Sequence, residues 1–277
     1  MEKADLPDLS YAAQEGAGRD PALDAVHAAV LLLEDDERLN AGWGAVLNRD
    51  GRLELDAGIA DGSTGGIAGV AGVQVRHPIS LARRVLETTP HVLVVGQGAM
   101  ALAEGLEPME GSTPAQRARW EQARSDGSLD LERFGAPDQV DTVGAVALDE
   151  RGDLAAATST GGVFGKLPGR VGDAPIFGGG LYASRSAAVV GTGVGEIFLR
   201  TLASARAGRL IEEGVPPQDA CEETIQGLGH SDLPGGLLAI DARGRVGAAF
   251  RGGSFPVAAS NNLRLRPVRM DSEGSSR

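Results

Sequence analysis

The chain has 277 residues, 41 of them glycine, with 42% hydrophobic and only 4% aromatic residues, enough for one sizeable core or two small ones in a tightly packed α/β protein. A formal net charge of −12 argues against nucleic acid as a partner, because phosphate binding needs a basic surface. The solitary Cys221 leaves no internal disulfide framework and no Cys-based zinc cluster. No apolar run approaches a membrane span, and the acidic start is unlike a secretory signal, so a cytoplasmic protein with no membrane partner is expected.

In chain order, helical spacing is predicted at Leu23–Leu33, with Leu9-Ser10-Tyr11-Ala12-Ala13 read as part of that helix. Further helices are predicted at Ile79–Glu87 after Pro78, at Glu196–Ala207, and at Pro217–Leu228, where Pro217 suits a first turn. Three turns share a pattern: Asn48-Arg49-Asp50-Gly51, Asp149-Glu150-Arg151-Gly152 and Asp241-Ala242-Arg243-Gly244. Short apolar strands flank each, which predicts antiparallel hairpins. Strand clusters with helices between them suggest two packed sheets with helices outside.

Residues 105–140 shift in composition. A charged helical run at Gln116–Arg124 stands between polar, Gly- and Pro-containing stretches, and the whole is expected to form a flexible linker over about 105–141. The polar tail from Asn261 to Arg277 is expected to be disordered.

The stretch Asp141-Thr142-Val143-Gly144-Ala145-Val146-Ala147-Leu148-Asp149, followed by Leu154-Ala155-Ala156-Ala157-Thr158-Ser159-Thr160-Gly161-Gly162, carries the most information. Both halves read as strands joined by a tight turn. If Leu148-Asp149 and Asp153-Leu154 flank that turn, Thr142 falls opposite Thr160, with Cβ atoms about 5 Å apart. Taken alone, such a pair more often does nothing beyond stabilising a sheet. The long glycine-rich loop that follows, Gly161 to Pro175, holds Arg170 and Asp173. Loops of this size between strands are often functional. Opposite charges on one rigid loop suit an amino-acid zwitterion, and equally a salt bridge that merely stiffens the loop.

These residues resemble a known family. Thr142-Val143-Gly144-Ala145-Val146-Ala147, Thr158-Ser159-Thr160-Gly161-Gly162, Lys166-Leu167-Pro168-Gly169-Arg170-Val171-Gly172-Asp173 and Gly191-Thr192-Gly193-Val194-Gly195-Glu196 are similar to plant-type L-asparaginase/isoaspartyl peptidase, among the N-terminal-nucleophile hydrolases. Leu39-Asn40-Ala41-Gly42-Trp43-Gly44-Ala45-Val46, Leu55-Asp56-Ala57, Asp61-Gly62 and Pro90-His91-Val92-Leu93-Val94-Val95-Gly96 extend the resemblance through the first half. It runs from roughly Leu23 to Phe250.

The resemblance implies an α/β (α+β) fold, a four-layer αββα sandwich, and a precursor that cuts itself between Asp141 and Thr142. Residues 1–141 would then be an α portion and 142–277 a β portion of one structural domain. Thr142 would be the nucleophile and, through its freed α-amine (reference pKa about 7.7–8.0), its own general base. Thr160 would orient it, and Thr192 and Gly193 would stabilise the oxyanion. Arg170 would grip the substrate α-carboxylate, Asp173 and Gly195 its α-ammonium, and Asn40 would sit near the nucleophile. The implied substrates are β-aspartyl (isoaspartyl) peptides and L-asparagine, releasing L-aspartate. No cofactor is required; a structural sodium ion in the Glu34–Leu39 loop and a homodimer of cleaved αβ units are implied.

Some positions depart from the pattern. Family members normally begin with a buried strand ending in His-Gly-Gly-Ala-Gly, whereas residues 1–20 hold only Gly16-Ala17-Gly18, so either the true start lies upstream or the sandwich lacks its first strand and has an open sheet edge. Asp141 replaces the usual glycine and resembles the glycosylasparaginase branch, which keeps a glycosylasparaginase-like amidohydrolase open as an alternative. Val194 replaces a usual threonine. The missing strand also keeps open an uncleaved, non-catalytic homologue.

Overall fold

The computed structural model describes residues 9–129, 142–229, 233–252, 254–260 and 268–269. The first half contains α1 (Ser10–Ala17), α2 (Ala22–Asp35), β1 (Leu55–Asp61), β2 (Gly66–Val73), α3 (Pro78–Thr88), β3 (Leu93–Val95), α4 (Gly96–Met100) and α5 (Pro114–Ser125). The second contains β4 (Val143–Leu148), β5 (Leu154–Thr160), β6 (Leu181–Ala183), β7 (Ala187–Gly193), α6 (Gly195–Thr201), α7 (Ala203–Glu212), α8 (Pro217–Gln226), β8 (Gly235–Asp241), β9 (Val246–Arg251) and β10 (Val268–Arg269).

The strands form two five-stranded sheets, ordered β3-β2-β1-β5-β4 and β10-β9-β8-β7-β6. Side chains alternate between the faces of a strand, and the apolar residues obey that period. Ala155 and Ala157 of β5 pack under α2 and α3 beside Val26, Val30 and Val85. Their neighbours Leu154 and Ala156 point the other way, onto Ala188 and Val190 of β7. On the far face, Val189, Leu237 and Ala249 meet Ala207, Ile211 and Ile225 of α7 and α8. Helix, sheet, sheet and helix thus stack as expected. Small residues dominate the strands because the sheets approach closely; a Cβ at Gly144 would lie 3.1 Å from Val190.

Several predicted elements differ in detail. Leu9–Ala13 does not extend α2, since α1 ends at Ala17 and the cis Asp20–Pro21 bond separates the two helices. The single helix predicted over Glu196–Ala207 is two, broken where Leu202 takes a left-handed φ of 49°. The Asn48–Gly51 turn forms, with Asn48 Oδ1 accepting from Asp50 N and Arg52 N, yet no strand pair flanks it. There the backbone is used elsewhere: Val46 N donates to Asn40 Oδ1, and Leu47 O accepts from Gly165 N.

Within the predicted linker, α5 is an anchored helix. Its Trp120 is buried against Gly51, and Gln116 Nε2 donates to Gly44 O. Residues 130–141 of that linker lie outside the described residues. In the tail, Val268–Arg269 pair in parallel with β9, and residues 261–267 and 270–277 fall outside. Among the described residues the earliest strand is β1, and β4 pairs along one edge only, with β5.

Candidate active site

The register of the β4–β5 hairpin runs from Leu148↔Leu154 to Val143↔Ser159, as the turn spacing predicts. One further step brings Thr142 beside Thr160. Residues 142, 144 and 146 share a face, and Val146 belongs to the layer between the sheets, so Thr142 projects into that layer. Thr160 follows Leu154 and Ala156 by the same parity. Across the layer, Thr192 follows Ala188 and Val190 on β7. Three hydroxyls therefore converge at one end of the sandwich through strand period alone.

Distances agree. Thr142 Oγ1 lies 3.4 Å from Thr160 Oγ1, and Thr142 N donates to Thr192 Oγ1 at 3.2 Å. The first contact is long for O–H···O, as hydrogen bonds in unliganded sites often are. Thr160 is itself held, since its Oγ1 accepts from Gly162 N at 3.0 Å. Asn40 pins the strand end just beyond Thr160. Its Nδ2 donates to Gly162 O at 2.7 Å, and its backbone carbonyl accepts from Gly161 N at 2.9 Å.

After Gly162 the loop folds back beneath α6. Arg170 presents Nε and Nη2 to the two carboxylate oxygens of Glu196, each at 3.0 Å. Asp173 is almost completely buried, with Oδ2 lacking a hydrogen-bond partner. Burial pushes its carboxyl up to about 7, opposed by the Arg170 charge. Gly195 lies where these two side chains meet: a Cβ there would fall 2.8 Å from both Arg170 Nη2 and Asp173 Oδ1. A guanidinium and a buried carboxylate facing one bare backbone position are groups whose chemistry suits a paired carboxylate and ammonium.

Gly193 ends β7 next to Thr192, opposite Gly235 of β8. The position requires glycine, because a Cβ would lie 2.5 Å from the Phe198 ring and 2.9 Å from Pro234 O. A cavity of about 660 Å³ runs along the unpaired edge of β4 from Thr142 to Glu150, bounded by α1, α2 and Ser254–Ser260.

The sequence profile of the asparaginase family matches residues 9–266. The chain belongs to the asparaginase family. It is 49% identical over 247 residues to an isoaspartyl peptidase of Salmonella typhimurium, which spans 83% of this chain and 78% of that protein. An isoaspartyl peptidase of Escherichia coli is 46% identical over 245 residues, covering 83% of this chain and 75% of its own. A plant-type L-asparaginase of Pyrobaculum calidifontis is 42% identical over 257 residues, covering 87% and 85%.

In this asparaginase-family chain the structure brings Thr142, Thr160, Thr192 and Gly193 to one end of the sandwich, and sets Arg170 and Asp173 together against Gly195. Asp141 lies outside the described residues. Glu196 was not singled out from the sequence as a functional residue, although a carboxylate next to Gly195 was the available signal. Among the described residues no group of three acidic, His or Cys side chains is placed to hold a metal ion, and no helix is long and apolar enough to cross a membrane.

Proposed function

We propose that this chain is a self-cleaving threonine amidohydrolase of β-aspartyl peptides and L-asparagine, releasing L-aspartate. One observation carries the reading: the nitrogen and the hydroxyl of Thr142 each face another threonine hydroxyl, with the Arg170–Gly195–Asp173 receptor opening from the end of the same β7 strand.

Scission before Thr142 turns its backbone nitrogen into an amine able to take the Oγ1 proton near neutral pH. Thr160 Oγ1 orients the attacking oxygen. The Thr192 hydroxyl and the Gly193 N–H face the carbonyl oxygen as it gains charge, a role typically worth about 3–4 kcal/mol of barrier per donor. Arg170 and Asp173 bind the α-carboxylate and α-ammonium, which leaves the side-chain amide to reach Thr142. The relatives' names, isoaspartyl peptidase and plant-type L-asparaginase, support this reading over a glycosylasparaginase-like one.

We also propose a structural sodium ion in the Glu34–Leu39 loop, a reading that nearby backbone carbonyls support. The carbonyls of Glu34, Glu37 and Leu39 crowd the Gly42–Gly44 turn, where a Cβ would fall 2.4 Å from Glu34 O at Gly42 and 2.2 Å from Leu39 O at Gly44. Such oxygens suit a hard cation, whose part would be to stiffen the segment leading into Asn40. We further propose a cytoplasmic protein, a setting that the single buried free Cys221 suits, and a homodimer of cleaved units. The exposed Val92, Leu93 and Val95 offer apolar surface for such pairing.

Mass spectrometry of the purified protein tests the proposal. Two fragments meeting at Asp141–Thr142, with aspartate released from a β-aspartyl dipeptide, are expected. An intact chain without that activity after long incubation overturns it.

A further inference from the structure

Lys166 is among the largest fully buried side chains of the described residues, and the chemistry above gives it no role. Its Nζ donates to Glu54 O at 2.7 Å and lies 4.0 Å from Asp56 Oδ2, whose side chain is also fully buried. Buried charges of this kind are costly unless paired and hydrogen-bonded.

The pair lies at the root of the substrate loop. Asp56 accepts from Gly72 N at 2.9 Å on β2 and from Gly172 N at 3.4 Å on the loop. The neighbouring Glu54 carboxylate takes Gly169 N at 3.0 Å and is steadied by Asn48 Nδ2, also at 3.0 Å. The head of β1 therefore grips the loop at 166, 169 and 172, on both sides of Arg170 and just before Asp173. Lys166 also backs Gly162, where a Cβ would fall 3.0 Å from Nζ and 3.3 Å from Arg170 Nη1.

We propose that Lys166 is a positioning residue: with Asp56 it fixes the loop so that Arg170 and Asp173 face Gly195 together, and so sets the preference for ligands bearing both an α-carboxylate and an α-ammonium. This rests on the function proposed above. A pair that only stabilised the core would lower the melting temperature and leave ligand preference untouched.

The test compares Lys166→Met, Lys166→Arg and the double variant Asp56→Asn/Lys166→Met, which removes both charges together and so leaves no buried charge unpaired. The readouts are fragment masses, kcat and KM on a β-aspartyl dipeptide, and calorimetric affinities for L-aspartate and for succinate, which lacks the ammonium. Lys166→Met and the double variant are expected to raise KM and weaken L-aspartate binding by about tenfold or more while succinate changes far less, with kcat kept within about threefold and Lys166→Arg retaining most of the affinity. If Lys166→Met does not fold, the other two variants decide. Folded variants whose KM and aspartate-to-succinate preference match those of the wild type overturn the inference alone. A wild-type chain that neither hydrolyses the dipeptide nor binds aspartate overturns the functional reading, and this inference with it.

Discussion

The backbone nitrogen of Thr142 lies 3.2 Å from the hydroxyl of Thr192, fifty residues away on the opposite sheet. This contact joins the two sheets at that end and puts the nitrogen of the proposed nucleophile beside the hydroxyl proposed to face the developing oxyanion. Thr192→Val keeps the shape and removes the hydroxyl. We expect kcat to fall about 10²–10³-fold with KM little changed, read from steady-state kinetics. Thr142→Ala should abolish both self-cleavage and hydrolysis, visible as a single intact mass.

Gly195→Ala should separate binding from self-cleavage. Its methyl would fall 2.8 Å from Arg170 Nη2 and from Asp173 Oδ1, filling the receptor. We expect KM to rise about tenfold or more, while the precursor still yields a new terminus at Thr142. N-terminal sequencing beside the kinetics checks both halves.

Asp173 gives the site a pH dependence of definite sign. Burial raises its carboxyl to about 7, and only the ionised form attracts an ammonium. Apparent affinity for aspartate should therefore be full above pH 7 and fall by up to about tenfold per unit below it. The effect on the empty protein runs the other way. A carboxyl whose pKa is higher folded than unfolded costs stability as pH rises towards 7, because the unfolded chain ionises first. Asp173→Asn should thus melt above the wild type at pH 8 and lose that advantage progressively as pH falls from 7 towards 4, while binding aspartate poorly throughout. Calorimetry across this range would show a flat affinity profile if the assignment is wrong.

Phe198 packs beneath the end of β7 that carries Thr192 and Gly193. It is completely buried, with its ring against Gly191, Gly193 and Gly235. Phe198→Ala removes a core aromatic and should cost about 3–5 kcal/mol, a fall in melting temperature on the order of 10 °C. The loss of packing under Gly193 should also lower kcat in the protein that remains folded.

The parts of the fold governed by short-range periodicity were legible in the sequence. A turn of fixed length set the β4–β5 register, and period-two alternation put Thr142 and Thr160 on one face. The helices at 78–88 and 217–226 announced themselves through a proline at the first turn. What stayed hidden depended on contacts distant in the chain. The break at Leu202 has no local breaker, Asn48–Gly51 lacks flanking strands because Asn40 and Gly165 claim their backbone, and Asp56 meets Lys166 only through the folding of the glycine loop. Glu196 sat within a recognised motif, yet its hold on Arg170 needed coordinates.

The first sheet has a consequence for what self-cleavage would leave behind. β1 comes from before the proposed scissile bond and β5 from after it, yet they are adjacent and zipped together from Asp56↔Thr160 to Asp61↔Ala155. Breaking one peptide bond would nick the chain without parting it. The two polypeptides would travel as one particle under native conditions and separate only in denaturant, and neither would be expected to keep its shape when made alone.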